Sequence, residues 1–283
     1  FLMKNGIRLE SQRKFRKYQA FGNDFVLFDM REEGAFQHDA GMLRYVCDRH
    51  YGIGADGVLL VIVEDNMLRM IYANADGSLS DMCGNGLRCV ARYWFDSEGV
   101  PSVVIAAGKQ HYVCHSVDAT HVLVEMGIPS GEHIALPKRA INFNEIALTG
   151  EPERVGTAVF VGNPHWIEFC ALGSGKQLMQ EHGRRLEIHP DFTQHANITF
   201  AEVVNARHVR AFVHERGVGP TLACGSAACA TAVAGVSRGV LERGEVILVE
   251  QPGGGLQIRV LDNGSVEMQG EAIPVYEGTI RLN

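Results

Sequence analysis

Two short motifs recur along the chain at nearly the same spacing, and this internal repeat restricts the fold more than any other feature. Gly22-Asn23 opens an apolar run in the first half, and Gly162-Asn163 precedes another in the second half, so the offset in residue number is 162 − 22 = 140. For Cys83-Gly84 and Cys224-Gly225 the offset is 224 − 83 = 141. Two independent matches at nearly one offset predict two related halves.

A chain of 283 residues is also longer than one hydrophobic core usually supports, so two domains are expected. We place residues 1–127 together with 271–283 in a first domain around Cys83, and residues 128–270 in a second domain around Cys224. Residues 128–153 contain three prolines and are expected to carry the connection between the two.

Each Cys-Gly pair is expected to begin a helix. After Cys83, apolar residues follow the i, i+3, i+4, i+7, i+8 pattern of one buried helix face. These residues are Leu87, Val90, Ala91, Trp94 and Phe95. After Cys224, residues 227–236 are small and apolar on every side, which is typical of a fully enclosed helix.

The remaining segments are mostly short and β-rich, and turn residues such as Asp76-Gly77 and Asn263-Gly264 separate them. The strands expected from this pattern span 57–63, 68–72, 103–105, 121–126, 246–250 and 256–260. Many strands with one enclosed helix per half predict an α+β fold of two pseudo-symmetric domains. In each domain a curved, mostly antiparallel sheet wraps around a central helix.

The two glycine-rich helix starts each carry a thiol, and this placement has chemical consequences. Unpaired N–H groups and a partial positive charge at a helix N-terminus lower a cysteine pKa from about 8.5 to between roughly 3.5 and 7.5. The same N–H groups bind carboxylates, and a glycine next to the cysteine lets a ligand approach the backbone. The pattern therefore predicts a thiolate beside an anion site in each half.

If the two halves bring both helix starts to one substrate, Cys83 and Cys224 face opposite sides of its α-carbon. One thiolate then removes the α-proton while the other thiol delivers a proton to the far face, which is general acid–base catalysis. The N–H groups stabilise the carboxylate as it takes on enolate character. The sequence thus predicts an amino-acid racemase or epimerase that needs no cofactor.

The cysteine spacing also has to be compared with that of a structural zinc site. The spacings Cys83-x5-Cys89 and Cys224-x4-Cys229 fall outside those of zinc knuckles, so we interpret Cys89 and Cys229 as core residues and expect no metal. Cys47, Cys114 and Cys170 give no signal. A non-catalytic amino-acid-binding module and a redox-sensing thiol protein remain as alternatives of another class.

Net charge and composition limit the kinds of partner and the cellular compartment that fit this chain. A formal net charge of −7 disfavours nucleic acid and anionic membranes, both of which attract basic surfaces. No apolar run reaches the roughly 18 residues of a membrane span, and residues 1–17 lack the apolar segment of an export signal. An odd count of seven cysteines is unlike a disulfide framework. We therefore expect a reduced cytoplasmic protein and exclude residues 1 to 13 from functional reasoning.

Five ordered motifs, which span nearly the whole chain from Phe15 onward, carry a resemblance to a known family. They are Phe21-Gly22-Asn23-Asp24-Phe25, the segment from Asp48 to Gly57 (DRHYGIGADG), Met82-Cys83-Gly84-Asn85-Gly86-Leu87-Arg88-Cys89, Gly162-Asn163-Pro164-His165, and Glu215-Arg216-Gly217-Val218-Gly219 leading into Ala223-Cys224-Gly225-Ser226. In these motifs the chain resembles bacterial diaminopimelate epimerases, which belong to the cofactor-independent racemase group that includes proline racemase.

The resemblance implies interconversion of LL- and meso-diaminopimelate on the route to lysine and peptidoglycan, with no pyridoxal phosphate and no metal. It implies that Cys83 and Cys224 are acid and base, that Gly84-Asn85 and Gly225-Ser226 hold the reacting carboxylate, and that His165 and Glu215 tune the thiol pKa values. The distal amino-acid head group is then held by Asn23, Asn74, Asn163, Asn197, Glu215 and Arg216. Neutral amides with one cation and one carboxylate suit a zwitterion.

Three positions depart from the family pattern. Gly57 stands where some members have a substrate-contacting glutamine, His214 where an aromatic residue is common, and Pro220 where an acidic residue is frequent. These departures leave open a racemase for another amino acid, such as histidine or glutamate. The polar set around Arg216 favours a substrate with a second head group. Tyr276 matches a position linked to dimer packing, so a homodimer is expected.

Overall fold

The computed structural model describes residues 11–33 and 39–282, so most of the N-terminal segment excluded above lies outside the described residues. The chain forms two compact units, one built from residues up to His111 together with Ala272 onward, and the other from Tyr112–Glu271. The elements of the first unit are β1 (Ser11–Ala20), β2 (Asn23–Asp29), α1 (Met30–Glu33), α2 (Ala40–Cys47), β3 (Gly57–Glu64), β4 (Met67–Asn74), β5 (Leu79–Ser80), α3 (Gly84–Glu98), β6 (Ser102–Ala107) and β18 (Ile273–Leu282).

The second unit begins within β7 (Gln110–Ser116), whose first two residues belong to the first unit. Its further elements are β8 (His121–Gly127), β9 (Glu145–Leu148), β10 (Glu151–Phe160), β11 (Pro164–Cys170), α4 (Gly175–Glu187), β12 (Asn197–Asn205), β13 (His208–Glu215), β14 (Gly219–Pro220), α5 (Gly225–Ser237), β15 (Val246–Gln251), β16 (Gly254–Val260) and β17 (Val266–Glu271). The boundary lies near residue 111 rather than 127 because β8 pairs with β17 of the second unit.

Strand pairing repeats from one unit to the other. The pairs β1–β2, β2–β3, β3–β4 and β4–β6 are antiparallel, parallel, antiparallel and parallel. The pairs β10–β11, β11–β12, β12–β13 and β13–β15 follow the same sequence of directions. Register is also preserved, since Phe25 lies opposite Gly57 and, at the repeat offset found in the sequence, His165 lies opposite Asn197. The predicted relation between the halves is confirmed.

A helix lies against the sheet in each unit, directly after the cysteine. In α5, 12 of 13 residues are buried, and the helix contacts strands β10–β13 and β15–β17. Its run of alanines is therefore explained by close strands on every side. Helix α3 contacts β1–β4, β6 and β18. The predicted α+β fold, with a sheet around a central helix, is confirmed.

Three further helices, α1, α2 and α4, pack on the sheets and were not predicted. Helix α2 has a capping signal, because Asp39 Oδ1 accepts a hydrogen bond from Met42 N at 2.8 Å, and it buries Leu43 and Val46. Helix α4 buries Met179 and Leu186 in a core with Trp166. Within residues 11–33 and 39–282, no helix is long and apolar enough to cross a membrane.

Candidate active site

Cys83 and Cys224 occupy the same structural position in their own units. Cys83 is the N-cap of α3, with φ −143° and ψ 110°. Cys224 is the N-cap of α5, with φ −133° and ψ 114°. Both backbones are extended immediately before the first helical residue, a glycine in each case, so each cysteine lies beside the unpaired N–H groups of a helix start. The predicted placement of both thiols is confirmed.

The sulfur of Cys83 accepts a hydrogen bond from the backbone N–H of Gly86, with an N···S distance of 3.3 Å. A Cβ on Gly86 would lie 2.8 Å from Leu59 Cδ2 and 3.5 Å from the Cys83 sulfur. A side chain at this position would therefore require Leu59 to move, while its contact with the thiol would be an ordinary one. The Gly86 N–H and the helix start favour negative charge on the Cys83 sulfur.

Cys224 is buried, and its backbone is held by a side chain that sequence reasoning missed. Gln251, at the end of β15, accepts from Cys224 N at 2.6 Å and donates to Cys224 O at 3.1 Å. Two opposed hydrogen bonds fix this peptide as firmly as a neighbouring strand would. A glutamine before a Pro-Gly turn carries no sequence pattern that points to this role.

The pKa of the Cys224 thiol is raised well above its ordinary value, first by burial and then by the negative charge of Glu215. The helix start alone predicts the opposite direction, and here desolvation outweighs it. Burial also raises the pKa of Glu215, although hydrogen bonds from Thr221 and Cys224 oppose the shift. Thr221 Oγ1 donates to Glu215 Oε1 at 2.6 Å, and Ser226 Oγ lies 3.5 Å from the Cys224 sulfur. Burial and Glu215 therefore both favour the protonated thiol of Cys224.

His165 is fully buried, and burial followed by the charge of Arg216 lowers its pKa to about 3. It is therefore neutral at pH 7. Its Nε2 lies 2.7 Å from Asn163 Oδ1, an oxygen that only accepts, so Nε2 carries the proton. The Nδ1 atom is then an acceptor, and among the described residues it has no hydrogen-bond partner.

The segment after Glu215 is anchored from two sides. Asn197 Oδ1 accepts from Arg216 N at 2.9 Å, while Asn197 Nδ2 donates to Pro164 O at 3.1 Å. Glu187 Oε1 accepts from Gly217 N at 2.7 Å. The Arg216 guanidinium donates to Gln194 O at 2.9 Å and is otherwise exposed. Asn197 thus holds the backbone of Arg216, and the substrate contact that the resemblance implies for it stays a prediction.

In the first unit, the structure brings Asn23 and Asn85 together. Asn85 Nδ2 donates to Asn23 Oδ1 at 3.2 Å. Asn74 ends β4, and its side-chain nitrogen donates to Ser78 Oγ at 3.0 Å within a turn. Residue Asp56 lies between these groups, since its side chain accepts from Asn23 and its carbonyl accepts from Ala75 N.

The three departures have structural explanations of different kinds. A Cβ at Gly57 would lie 2.7 Å from Ala73 O, so a side chain there requires the neighbouring strand to shift. His214 is buried and its Nε2 lies 3.0 Å from Glu187 Oε2. Pro220 is exposed in the short strand β14. Only His214 touches a residue that anchors the segment after Glu215.

Tyr276 lies on β18 of the first unit. Its ring packs edge-on against Phe15 with 5.9 Å between centroids, and about half of the residue is exposed. It borders a surface groove of about 380 Å³ that also includes Tyr18, Tyr93 and Asp96. Among residues 11–33 and 39–282, no three His, Cys, Asp or Glu side chains are grouped as metal ligands.

Solved structures that share this fold include proteins described as epimerases, a probable proline racemase and phenazine biosynthesis proteins. A predicted epimerase from Pseudomonas aeruginosa aligns with a TM-score of 0.69 at 15% identity, covering 96% of this chain and 100% of that one. A hydroxyproline epimerase from Agrobacterium vitis, with bound trans-4-hydroxy-L-proline, aligns with a TM-score of 0.66 at 14% identity, covering 98% and 94%. At this identity the likeness shows the fold alone, which is the two-domain α+β fold of these epimerases.

Sequence comparison is more specific. The family model described as diaminopimelate epimerase matches residues 15–131 and 157–275. Diaminopimelate epimerase from Thermosynechococcus vestitus is 38% identical, covering 94% of this chain and 98% of that protein. The Moorella thermoacetica enzyme of the same name is also 38% identical, covering 95% and 99%. The chain belongs to the diaminopimelate epimerase family.

Proposed function

We propose that this protein interconverts LL- and meso-diaminopimelate by moving a proton at one α-carbon between Cys83 and Cys224. The observation that carries the proposal is the recurrence of one local geometry, a cysteine capping an enclosed helix, in two units of the same topology. Two-base chemistry needs two such groups, and a chain with a single thiol function has no reason to keep both.

The two half-sites differ in burial, since Cys83 is partly exposed and Cys224 is buried, and this supports different starting states. The Cys83 sulfur accepts an N–H, which suits a thiolate, and we assign it the role of base. Burial and the charge of Glu215 raise the pKa of Cys224, which supports the role of acid. Transfer of the α-proton to Cys83 and of the Cys224 proton to the opposite face leaves the protonation states exchanged. The reverse reaction begins from that exchanged state.

The reacting carboxylate is proposed to bind the N–H groups at Gly84-Asn85 and Gly225-Ser226, where both helix starts favour an anion. Its charge increases as the α-proton leaves, so these donors stabilise the transition state more than the bound substrate. The distal head group is assigned to Asn23, Asn74 and Asn163 with the Arg216 guanidinium as its carboxylate partner. Asn197 supports this set by holding Arg216 N.

The test is exchange of the α-proton in D2O. Wild-type protein should place deuterium at the α-carbon of LL-diaminopimelate, and Cys83→Ala or Cys224→Ala should abolish this exchange. Cys89→Ala and Cys229→Ala are matched controls, since each removes a buried thiol from the same helix without touching the helix start. A pure binding module would bind the substrate without exchange.

The same assay separates the alternative substrates. Histidine, glutamate and proline are expected to exchange far more slowly than diaminopimelate, because they leave the polar set around Arg216 without a partner. Faster exchange with histidine or glutamate would overturn the assignment of substrate while keeping the two-cysteine chemistry.

We further propose that the protein is a cytoplasmic homodimer in which Tyr276 contributes to the contact. The half-exposed ring of Tyr276 beside an open groove supports this contact. Light scattering should give twice the chain mass of 31.0 kDa for the wild type and a smaller mass for Tyr276→Asp. A monomeric wild type would contradict the proposal.

A further inference from the structure

In the first unit, one chain of hydrogen bonds joins a buried cation to a carboxylate through two asparagines. Arg88 Nη2 donates to Asn85 Oδ1 at 2.7 Å, Asn85 Nδ2 to Asn23 Oδ1 at 3.2 Å, and Asn23 Nδ2 to Asp56 Oδ2 at 3.0 Å. We infer that Arg88 and Asp56 are positioning residues that fix the amide orientations of Asn85 and Asn23. The inference rests on the proposed binding roles of these two asparagines.

The chemistry of the two ends determines the direction of the whole chain. A guanidinium only donates and a carboxylate only accepts. Asn85 must therefore turn its oxygen toward Arg88, and Asn23 must turn its nitrogen toward Asp56. A flip of either amide would set two donors against each other on one side and two acceptors on the other. The donor and acceptor pattern shown to a substrate is thus set before the substrate arrives.

Arg88 is fully buried, and burying a charged group is costly unless its partners are well placed. Its guanidinium also donates to Gly84 O at 3.4 Å and lies 5.6 Å from the centre of the Phe21 ring. Through these contacts Arg88 holds the start of α3, which carries Asn85, and packs against the turn before Asn23. The position of the cation suits a residue that supports the carboxylate-binding segment.

Asp56 has a matching role at the other end. Its Oδ2 also accepts from Asp24 N at 3.1 Å, and its Oδ1 accepts from Arg49 Nη2 at 2.9 Å. Its backbone oxygen accepts from Ala75 N at 3.1 Å, directly after Asn74. One residue therefore links the turn that carries Asn23 to the turn that carries Asn74.

The second unit shows that the fold does not require these hydrogen bonds between Arg88 and Asp56. At the offsets of the internal repeat, Cys229 stands in the place of Arg88 and Ala196 in that of Asp56, and both are buried apolar residues. Helix α5 nevertheless begins with nearly the same backbone angles as α3. The charged ends are an addition to the first half-site, which favours a role in the site over one in folding.

The test uses paired variants. Arg88→Met and Asp56→Ala should each lower kcat/KM for diaminopimelate by roughly 10- to 100-fold, the effect of losing support for a positioned group. Arg92→Met is the matched control, because Arg92 is a buried arginine one turn later whose guanidinium pairs with Asp96. It should retain wild-type kcat/KM once folding is verified by circular dichroism.

Conservative substitutions separate positioning from general stability. In Asp56→Asn, an amide oxygen still accepts from Asn23 Nδ2 and Asp24 N, while the exposed Arg49 turns away, so activity should recover to within about 3-fold of wild type. Arg88→Lys, which reaches only one acceptor, should fall between Arg88→Met and wild type. These two variants carry the test if Arg88→Met or Asp56→Ala does not fold.

A readout that does not depend on activity keeps this inference distinct from the proposed function. In ¹⁵N NMR spectra, the side-chain amides of Asn23 and Asn85 should exchange slowly with solvent in wild type and Arg92→Met, and fast in Arg88→Met. Wild type with protected amides but no epimerase activity would refute only the proposed function. Arg88→Met matching Arg92→Met in both protection and kcat/KM, or Asp56→Asn as impaired as Asp56→Ala, would overturn the positioning role.

Discussion

Glu187 offers the clearest perturbation of the anchored segment after Glu215. Its two oxygens bind His214 Nε2 at 3.0 Å and Gly217 N at 2.7 Å, and its side chain is 6% exposed while that of His214 is 7% exposed. Glu187→Leu removes both hydrogen bonds and leaves the buried His214 without its acceptor. A buried donor left without its acceptor costs about 1–3 kcal/mol, so the loss of both hydrogen bonds should cost about 2–6 kcal/mol.

A surface pair of the same chemistry is the control. His208 Nε2 lies 2.8 Å from Glu250 Oε2, but the two side chains are 24% and 44% exposed. Glu250→Leu should therefore cost no more than about 1 kcal/mol. The two variants should therefore differ clearly in their free energy of unfolding, because solvent replaces the lost contact only at the surface.

Tryptophan fluorescence measures the difference directly, because each unit contains one of the two tryptophans. In a Trp94→Phe background, the buried Trp166 reports the second unit alone. Glu187→Leu should lower the midpoint of thermal unfolding by roughly 4–24 °C relative to this background, at 2–4 °C per kcal/mol. A free energy of unfolding within about 1 kcal/mol of the Glu250→Leu value would refute the reasoning.

Three further outcomes follow from the site. Glu215→Gln should lower the pKa of the Cys224 thiol toward its ordinary value, because the carboxylate charge adds to the effect of burial; thiolate absorbance against pH measures this, and an unchanged titration would contradict it. The pKa of Asp24 is lowered to about 2, because the opposing effect of burial is outweighed by hydrogen bonds and charge from Arg49 and Lys17. Their stabilisation is therefore complete above roughly pH 4 and lost as pH falls toward 2, and Asp24→Asn should remove that acid-dependent loss of stability from an unfolding series. Gly57→Gln should destabilise the first unit by about 1–3 kcal/mol in denaturant, because a Cβ there meets Ala73 O, and an equally stable variant would show that the strands move apart easily.

The fold was predictable from sequence to the extent that one local pattern recurs. The constant offset between the two halves located both cysteine helix starts, and apolar periodicity located α3 and α5. Helices α2 and α4 were not predicted, because α2 is short and α4 is mostly polar, so neither shows a clear apolar face in the sequence alone. The first boundary was placed too late along the chain because the pairing of β8 with β17 joins residues far apart in sequence.

The residues of the site that belong to a local motif, such as the two cysteines, could be predicted from sequence. The residues that act through contacts between distant elements could not. The repeat offset places Asn197 at the strand position that Gly57 holds in the first unit, so the internal repeat alone marks both positions as equivalent. Gln251 and Glu187 act through contacts between distant elements, so no local pattern marks them. The raised pKa of Cys224 depends on burial by the whole unit, which a helix start cannot reveal.

Covalent bridging of the two thiols tests the central proposal, that both sulfurs act on one carbon. A bifunctional alkylating reagent with a three-carbon bridge, such as 1,3-dibromoacetone, should join the peptide containing Cys83 to the peptide containing Cys224, as read by mass spectrometry. Diaminopimelate should protect against the bridge, and Cys89→Ala and Cys229→Ala should not affect it. Separate modification of each cysteine, with no bridged peptide and full loss of activity, would contradict a shared site.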